Sequence, residues 1–274
     1  MNYYPLIRGR QYDLLALTQL VKQLAPTIIP VIEPVKDTPS LARCVAAFSK
    51  AHHPLFVIQN PAVGQYGLLA APQATITYDD WVQPARWFDP QPAPLQLVQT
   101  VAQLRQLPPT QRVIVPAAAR FRRVAHPQAI YLTDHLPTRA RTEDYASVQT
   151  EFYQYPLALQ PGVGLADYPL STRQYSEHGY PQRAIALHLL FADRGALFIR
   201  HFTSVNNADF AEPQAKFFEA LTPLAPWLAE HPQAATPATT TLLDLLATRH
   251  FPGLGTVRKL QLQHWLTIMG RWLA

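Results

Sequence analysis

The 274-residue sequence predicts an α/β fold: a single irregular (β/α) barrel of the TIM type, with an antiparallel hairpin inserted and a helical pair at the C-terminus. Three observations carry this prediction. Apolar runs at residues 3–8, 28–33 and 54–60 alternate with amphipathic helical patterns, the signature of βα units in a parallel sheet. Each run ends on a polar residue (Arg8, Glu33, then Gln59 and Asn60), as expected when barrel strands deliver side chains to one rim. Later in the chain, β-rich runs at 184–191 and 197–205 flank Asp193-Arg194-Gly195, a connection suited to a hairpin. That hairpin predicts a sheet that is not wholly parallel.

Taken in order, residues 11–25 place Leu14, Leu17, Val21 and Leu24 at helical spacing, and Pro26 stops the pattern. The run 28–33 is almost continuously apolar, as a strand covered on both faces must be. Thr38-Pro39 opens the next helix with a cap residue and a first-turn proline, and Leu41, Val45 and Phe48 form its stripe. Residues 75–78 are compatible with a short strand, with Trp81, Trp87 and Phe88 as core or cover. A helix is expected over 94–107, and strands over 112–117 and 129–133. Residues 136–155 read as a polar loop with a helical turn, and Gly162-Val163-Gly164 as a turn that leads to Asp167-Tyr168. Glu212-Pro213 opens a helix carrying Phe217, Phe218 and Leu221. An Ala/Thr/Pro-rich connection over 231–240 precedes two final helices. The whole chain reads as one barrel-like domain, with 232–274 as a helical extension packed on it.

With 48% hydrophobic and 15% charged residues, the composition is that of a globular protein and excludes a disordered one. The net charge of +5 is a mild excess that permits an anionic partner without requiring one. A single cysteine, Cys44, excludes an internal disulfide framework, and no apolar run approaches a membrane span of about 20 residues. The expected setting is cytoplasmic, away from the membrane. No Walker phosphate loop, GxGxxG, HExxH, CxxC or GxSxG motif is present, so any chemistry must come from residues scattered over strand ends.

The candidates follow from that placement. Arg8, Arg10 and Lys36 are positioned for an anion, and Glu33 for a general base or metal ligand; a structural ion pair between Arg8 and Glu33 explains two of them equally well. Asp167, beside flexible glycines, is a second carboxylate for base or metal work. Arg200 and His201 end the strongest late strand, where a guanidinium binds phosphate and an imidazole moves a proton. His188 is a candidate core histidine. Arg120, Arg122 and Arg123 around Phe121 form the densest basic cluster, with the make-up of a single-strand nucleic-acid contact or of a solvated loop. A divalent metal is compatible with the carboxylates, although no ligand-spacing motif calls for one.

The opening Tyr3-Tyr4-Pro5-Leu6-Ile7-Arg8-Gly9-Arg10, with Pro30-Val31-Ile32-Glu33-Pro34-Val35-Lys36, resembles the N-terminus of an uncharacterised bacterial family whose members are encoded beside a second, smaller uncharacterised protein. It is more distantly similar to the phage beta protein family. The resemblance continues through Arg200-His201-Phe202, Lys216-Phe217-Phe218 and residues 250–257, and is weakest over 61–150. The family pattern has Lys where this chain has Arg10, which favours charge recognition over amine chemistry at that position. The resemblance implies a two-gene module of the mobile or defence-associated kind. Three expectations follow: an enzyme acting on a phosphate-bearing nucleotide or nucleic-acid substrate, a non-catalytic scaffold for the partner encoded beside it, or a nucleic-acid-binding module.

Overall fold

The computed structural model describes residues 1–68, 75–177 and 182–274. Contacts group the chain into two compact units, one from Met1–Asp134 and Gln160–Tyr175, the other from His135–Leu159 and Ser176–Trp272. The sequence instead suggests one domain with a helical extension.

The first unit is a closed parallel barrel. Its strands are β1 (Asn2–Arg8), β2 (Val31–Glu33), β3 (Leu55–Ile58), β4 (Val82–Trp87), β5 (Leu95–Leu97), β6 (Arg112–Pro116), β7 (Ala129–Leu132) and, after an excursion, β9 (Gly164–Asp167), which pairs with both β7 and β1. Helices α1 (Gln11–Leu20), α2 (Pro39–Ala51), α3 (Val101–Leu104) and α4 (Ala119–Arg122) lie in the connections. Alternation along the strands fills the lumen with Tyr4, Leu6, Val31, Phe56, Ile58, Ala85, Leu95, Leu97, Ile114, Ile130, Ala166 and Tyr168, one contiguous buried cluster.

Three expectations need correction here. The barrel sheet is wholly parallel, because the hairpin belongs to a separate sheet. Residues 75–78 are not a strand; the fourth strand is Val82–Trp87. Pro84 is tolerated there because alternate residues of β4 face β5, and the β5 ladder begins only at Ala85. The helix expected over 94–107 is split: Leu95 and Leu97 are strand residues, and only Val101–Leu104 is helical, held by a capping box between Thr100 and Gln103. The turn expected at the glycines is present, with Gly162 at φ +80°, and it leads straight into the eighth barrel strand at Gly164. Gly164 packs so tightly against Tyr4 that a Cβ there would lie 2.8 Å from its ring.

The second unit holds β8 (Thr150–Gln154), β10 (Ala186–Asp193) and β11 (Ala196–Thr203) in an antiparallel sheet of order β10-β11-β8. The expected hairpin is β10–β11, with Arg194 and Gly195 at positive φ in its turn. Residues 136–155, expected as a polar loop with a helical turn, contain that turn as a 3₁₀ helix (Thr142–Ser147) and, unexpectedly, the edge strand β8. Helices α5 (Pro213–Leu221), α6 (Leu224–Glu230), α7 (Pro237–Ala247) and α8 (Leu254–Trp272) complete the unit. The connection expected over 231–240 instead contains the start of α7, capped by Thr236.

The free edge of β10 is closed by side chains. Gln261 Oε1 accepts the His188 N–H at 2.6 Å, His264 Nε2 donates to the Leu190 carbonyl at 2.7 Å, and Gln233 Nε2 to the Ala192 carbonyl at 3.3 Å. Three successive outward positions are thereby satisfied, which explains why Gln261 and His264 are buried polar residues of α8. No helix among the described residues is long and apolar enough to cross a membrane.

Candidate functional site

Two constellations contain predicted site residues, one in each unit. At the carboxyl rim of the barrel, Arg8 and Glu33 are register partners on neighbouring strands, so they share the luminal face with Leu6 and Val31 below them. Their side chains form an ion pair, with Arg8 4% and Glu33 0% exposed. Glu33 Oε1 also accepts the Trp87 indole N–H and the Ala62 backbone N–H, each at 2.8 Å. Arg8 donates through Nη2 to the Arg173 carbonyl at 2.8 Å and lies 5.1 Å from the Tyr168 ring centre, while its Nε has no hydrogen-bond partner among the described residues. Burial lowers the Arg8 pKa, and nearby Arg10 pushes the same way against Tyr168, Tyr175 and Asp134. Glu33 is therefore held as a counter-ion rather than as an open base.

Asp167 departs from the expected role. It follows luminal Ala166 by one residue and faces the other side of the strand, where it accepts a hydrogen bond from Tyr3 Oη. Alternation separates it from Glu33, so the two carboxylates do not form a pair. Lys36 is exposed beyond the end of β2, and Arg10, at the start of α1, sits 5.1 Å from the ring centre of Tyr175. Asn60 serves structure, bonding both the Trp87 N–H and its carbonyl. Phe121 is 1% exposed in the core, so the Arg120, Arg122 and Arg123 cluster offers no ring for a base to stack on.

The second unit brings Arg200 and His201 to a cleft of about 340 Å³, whose wall also includes Tyr145, Gln149, Thr203 and Asn207. Arg200 Nη1 donates to Thr150 Oγ1 at 3.3 Å, and the guanidinium lies 5.5 Å from the Phe202 ring centre. Among the described residues Arg200 makes no ion pair, and its Nε has no hydrogen-bond partner. Burial lowers its pKa, and Glu230 acts in the opposite direction.

Behind Arg200 runs a buried acid–base chain. His201 Nε2 lies 2.9 Å from Glu151 Oε2, and His201 Nδ1 lies 2.7 Å from His188 Nδ1. Glu151 is also paired with Arg139. The tautomers follow. A carboxylate can only accept, so His201 carries its proton on Nε2; its bare Nδ1 then accepts from the His188 Nδ1–H. This leaves His188 Nε2 as the basic end of the chain. Burial depresses both imidazoles: His188 is lowered to about 3, with His201 adding to the effect, and His201 is lowered despite the opposing Glu151 carboxylate. Tyr145 packs on both rings, with centres 4.6 and 4.7 Å away, and donates its hydroxyl to the Pro137 carbonyl.

No protein-family model, curated protein or solved structure matches the chain. Among the described residues no group of three or more His, Cys, Asp or Glu is arranged to hold a metal ion. Sequence reasoning reached Arg200 and His201 through their place at a strand end. It missed Glu151, Arg139 and Tyr145, because a polar stretch with no alternating pattern gives no sign of β8, and it treated His188 as a core residue.

Proposed function

We propose that the chain recognises a phosphate-bearing ligand in the cleft beside β11, with Arg200 supplying the positive charge and the buried His201 bracing the strand behind it. One observation carries this reading: among the described residues Arg200 lines the cleft without an ion-pair partner, whereas Arg8 is paired with Glu33. A guanidinium offers a phosphate a planar fork of donors, and a half-buried one binds it with less competition from water. The Glu151–His201–His188 chain occupies both nitrogens of His201 and so fixes the strand that carries Arg200, which presents the guanidinium to the cleft in one position. Thermal denaturation with phosphate and with phosphate monoesters tests the reading. A ligand at 100 times its dissociation constant adds about 2.7 kcal/mol to the stability of the folded state. The shift should disappear in Arg200→Gln and persist in Arg120→Gln; an equal shift in Arg200→Gln sinks the proposal.

A second reading is a scaffold for a partner protein, in keeping with the two-gene module that the N-terminal resemblance implies. The internally paired rim of the barrel favours it, since a pair already satisfied by Trp87 and Ala62 is built for rigidity. Co-purification with the product of the neighbouring gene, undiminished by Arg200→Gln, would favour that reading over the first.

A further inference from the structure

The barrel mouth is crossed by a strap formed by residues 169–175. The chain leaves β9 through a turn in which the Ser171 N–H bonds the Tyr168 carbonyl and Leu170 sits at φ +52°, a left-handed conformation that costs a branched side chain free energy. The strap then touches residues that follow three different barrel strands. The Arg173 carbonyl takes a donor of Arg8 at the end of β1. The Arg173 N–H bonds Asp134 Oδ1 beyond β7, and the Arg173 guanidinium reaches Gln99 Oε1 beyond β5. Tyr175 lays its ring against Arg10.

Beneath the strap, Arg8 is 96% withdrawn from water, and Arg10 lies close enough to repel it. The one carboxylate paired with Arg8 is Glu33, and Arg8 Nε is unpartnered among the described residues. A donor fork in this position, at the carboxyl end of a parallel barrel, is where such folds bind ligands. The oxygen that now occupies one branch of the fork is a backbone carbonyl, a neutral stand-in for an anion's oxygen.

We propose that the mouth of the barrel is a phosphate-binding site held shut by its own chain, with the Arg173 carbonyl occupying the ligand's place on Arg8 and Tyr175 covering Arg10. Displacing the strap exposes both guanidinium groups on one side of the mouth. A phosphate oxygen would replace the Arg173 carbonyl as acceptor from Arg8 Nη2, and a second oxygen would use Nε. This site is independent of the Arg200 cleft and stands or falls separately from it.

The test uses the full chain carrying Arg200→Gln, which silences the cleft, and inorganic phosphate as the probe. Calorimetry gives the affinity, and hydrogen exchange reports on the amides of residues 169–175. Phosphate should speed exchange at Ser171 and Arg173, whose N–H groups are bonded in the closed strap. Adding Tyr175→Ala should tighten phosphate binding by about two- to five-fold, the amount a cation–π contact of this kind opposes. Adding Arg8→Lys keeps a charge beside Glu33, so the barrel stays folded, but removes the fork and should weaken binding by about tenfold or more. Strap exchange that ignores phosphate, or an Arg8→Lys protein that binds it as tightly as its parent, overturns the proposal.

Discussion

Glu33→Gln probes the buried pair at the barrel rim. The substitution preserves shape, and the amide oxygen still accepts from Trp87 Nε1 and the Ala62 N–H. What it removes is the charge that compensates Arg8, which is 4% exposed and cannot lose its proton under ordinary conditions. Leaving one member of a buried pair uncompensated costs about 3–5 kcal/mol, a large part of a domain's stability of about 5–15 kcal/mol. At about 2–4 °C per kcal/mol for a domain of this size, the midpoint should fall by roughly 6–20 °C. The companion variant Arg8→Met/Glu33→Leu removes both charges and should recover most of the loss, because well-packed apolar replacements of buried pairs are often neutral. Denaturant unfolding of Arg8→Met, Glu33→Leu and the double variant closes a cycle that measures the coupling directly. A Glu33→Gln loss below about 1 kcal/mol would place the pair among solvated surface bridges and refute the reasoning.

Three further predictions concern stability and reactivity. His264, fully buried between Thr236 and the Leu190 carbonyl, is lowered from 6.5 to about 4, and His188 to about 3. Both are neutral in the fold, so the unfolded chain takes up protons first as pH falls. Stability should be intact above about pH 6.5 and decline progressively towards about pH 4, with a shallower slope in His264→Gln; a flat profile from pH 7 to 4 would contradict this. Burial pushes the Cys44 thiol up to about 12, so alkylating reagents should label it only at the rate at which the protein opens, and rapid labelling at neutral pH would count against the packing. Gly162→Ala and Gly195→Ala both place alanine at φ +80°, at about 1 kcal/mol each. At Gly162 the new Cβ would also lie 2.6 Å from the Ala129 carbonyl, against 3.7 Å to a side chain at Gly195. Thermal melts should therefore show Gly162→Ala as clearly the more damaging.

The legible parts of the fold were those in which one physical rule acted alone. Parallel strands covered on both faces must be apolar throughout, so β1, β2 and β3 stand out, and the terminal polar residues Arg8 and Glu33 mark the rim. The hairpin of β10 and β11 was visible because its turn residues interrupt two long β-rich runs. Legibility failed where elements are too short for periodicity. β5 has three residues and α3 four, so Leu97, Val98, Val101 and Leu104, at helical spacing, mimic a single helix. β8 was hidden because Thr150 and Phe152 are exposed and Glu151 half-buried, all within a polar stretch. For the candidate sites, strand ends pointed to Arg8, Glu33, Arg200 and His201, which do lie at or near the ends of β1, β2 and β11. Whether a charge is open or neutralised depends on partners distant in sequence, such as Trp87 for Glu33 and Glu151 for His201. The opposite facing of Asp167 depended on knowing that its glycine-rich stretch is a strand.

The most direct test of the functional reading is a crystal structure with bound tungstate, an electron-rich mimic of phosphate whose anomalous signal locates it without bias. The account predicts a tungstate within hydrogen-bonding distance of the Arg200 guanidinium, inside the cleft lined by Tyr145 and Gln149. A cleft that stays empty at tungstate concentrations that occupy other sites would contradict it.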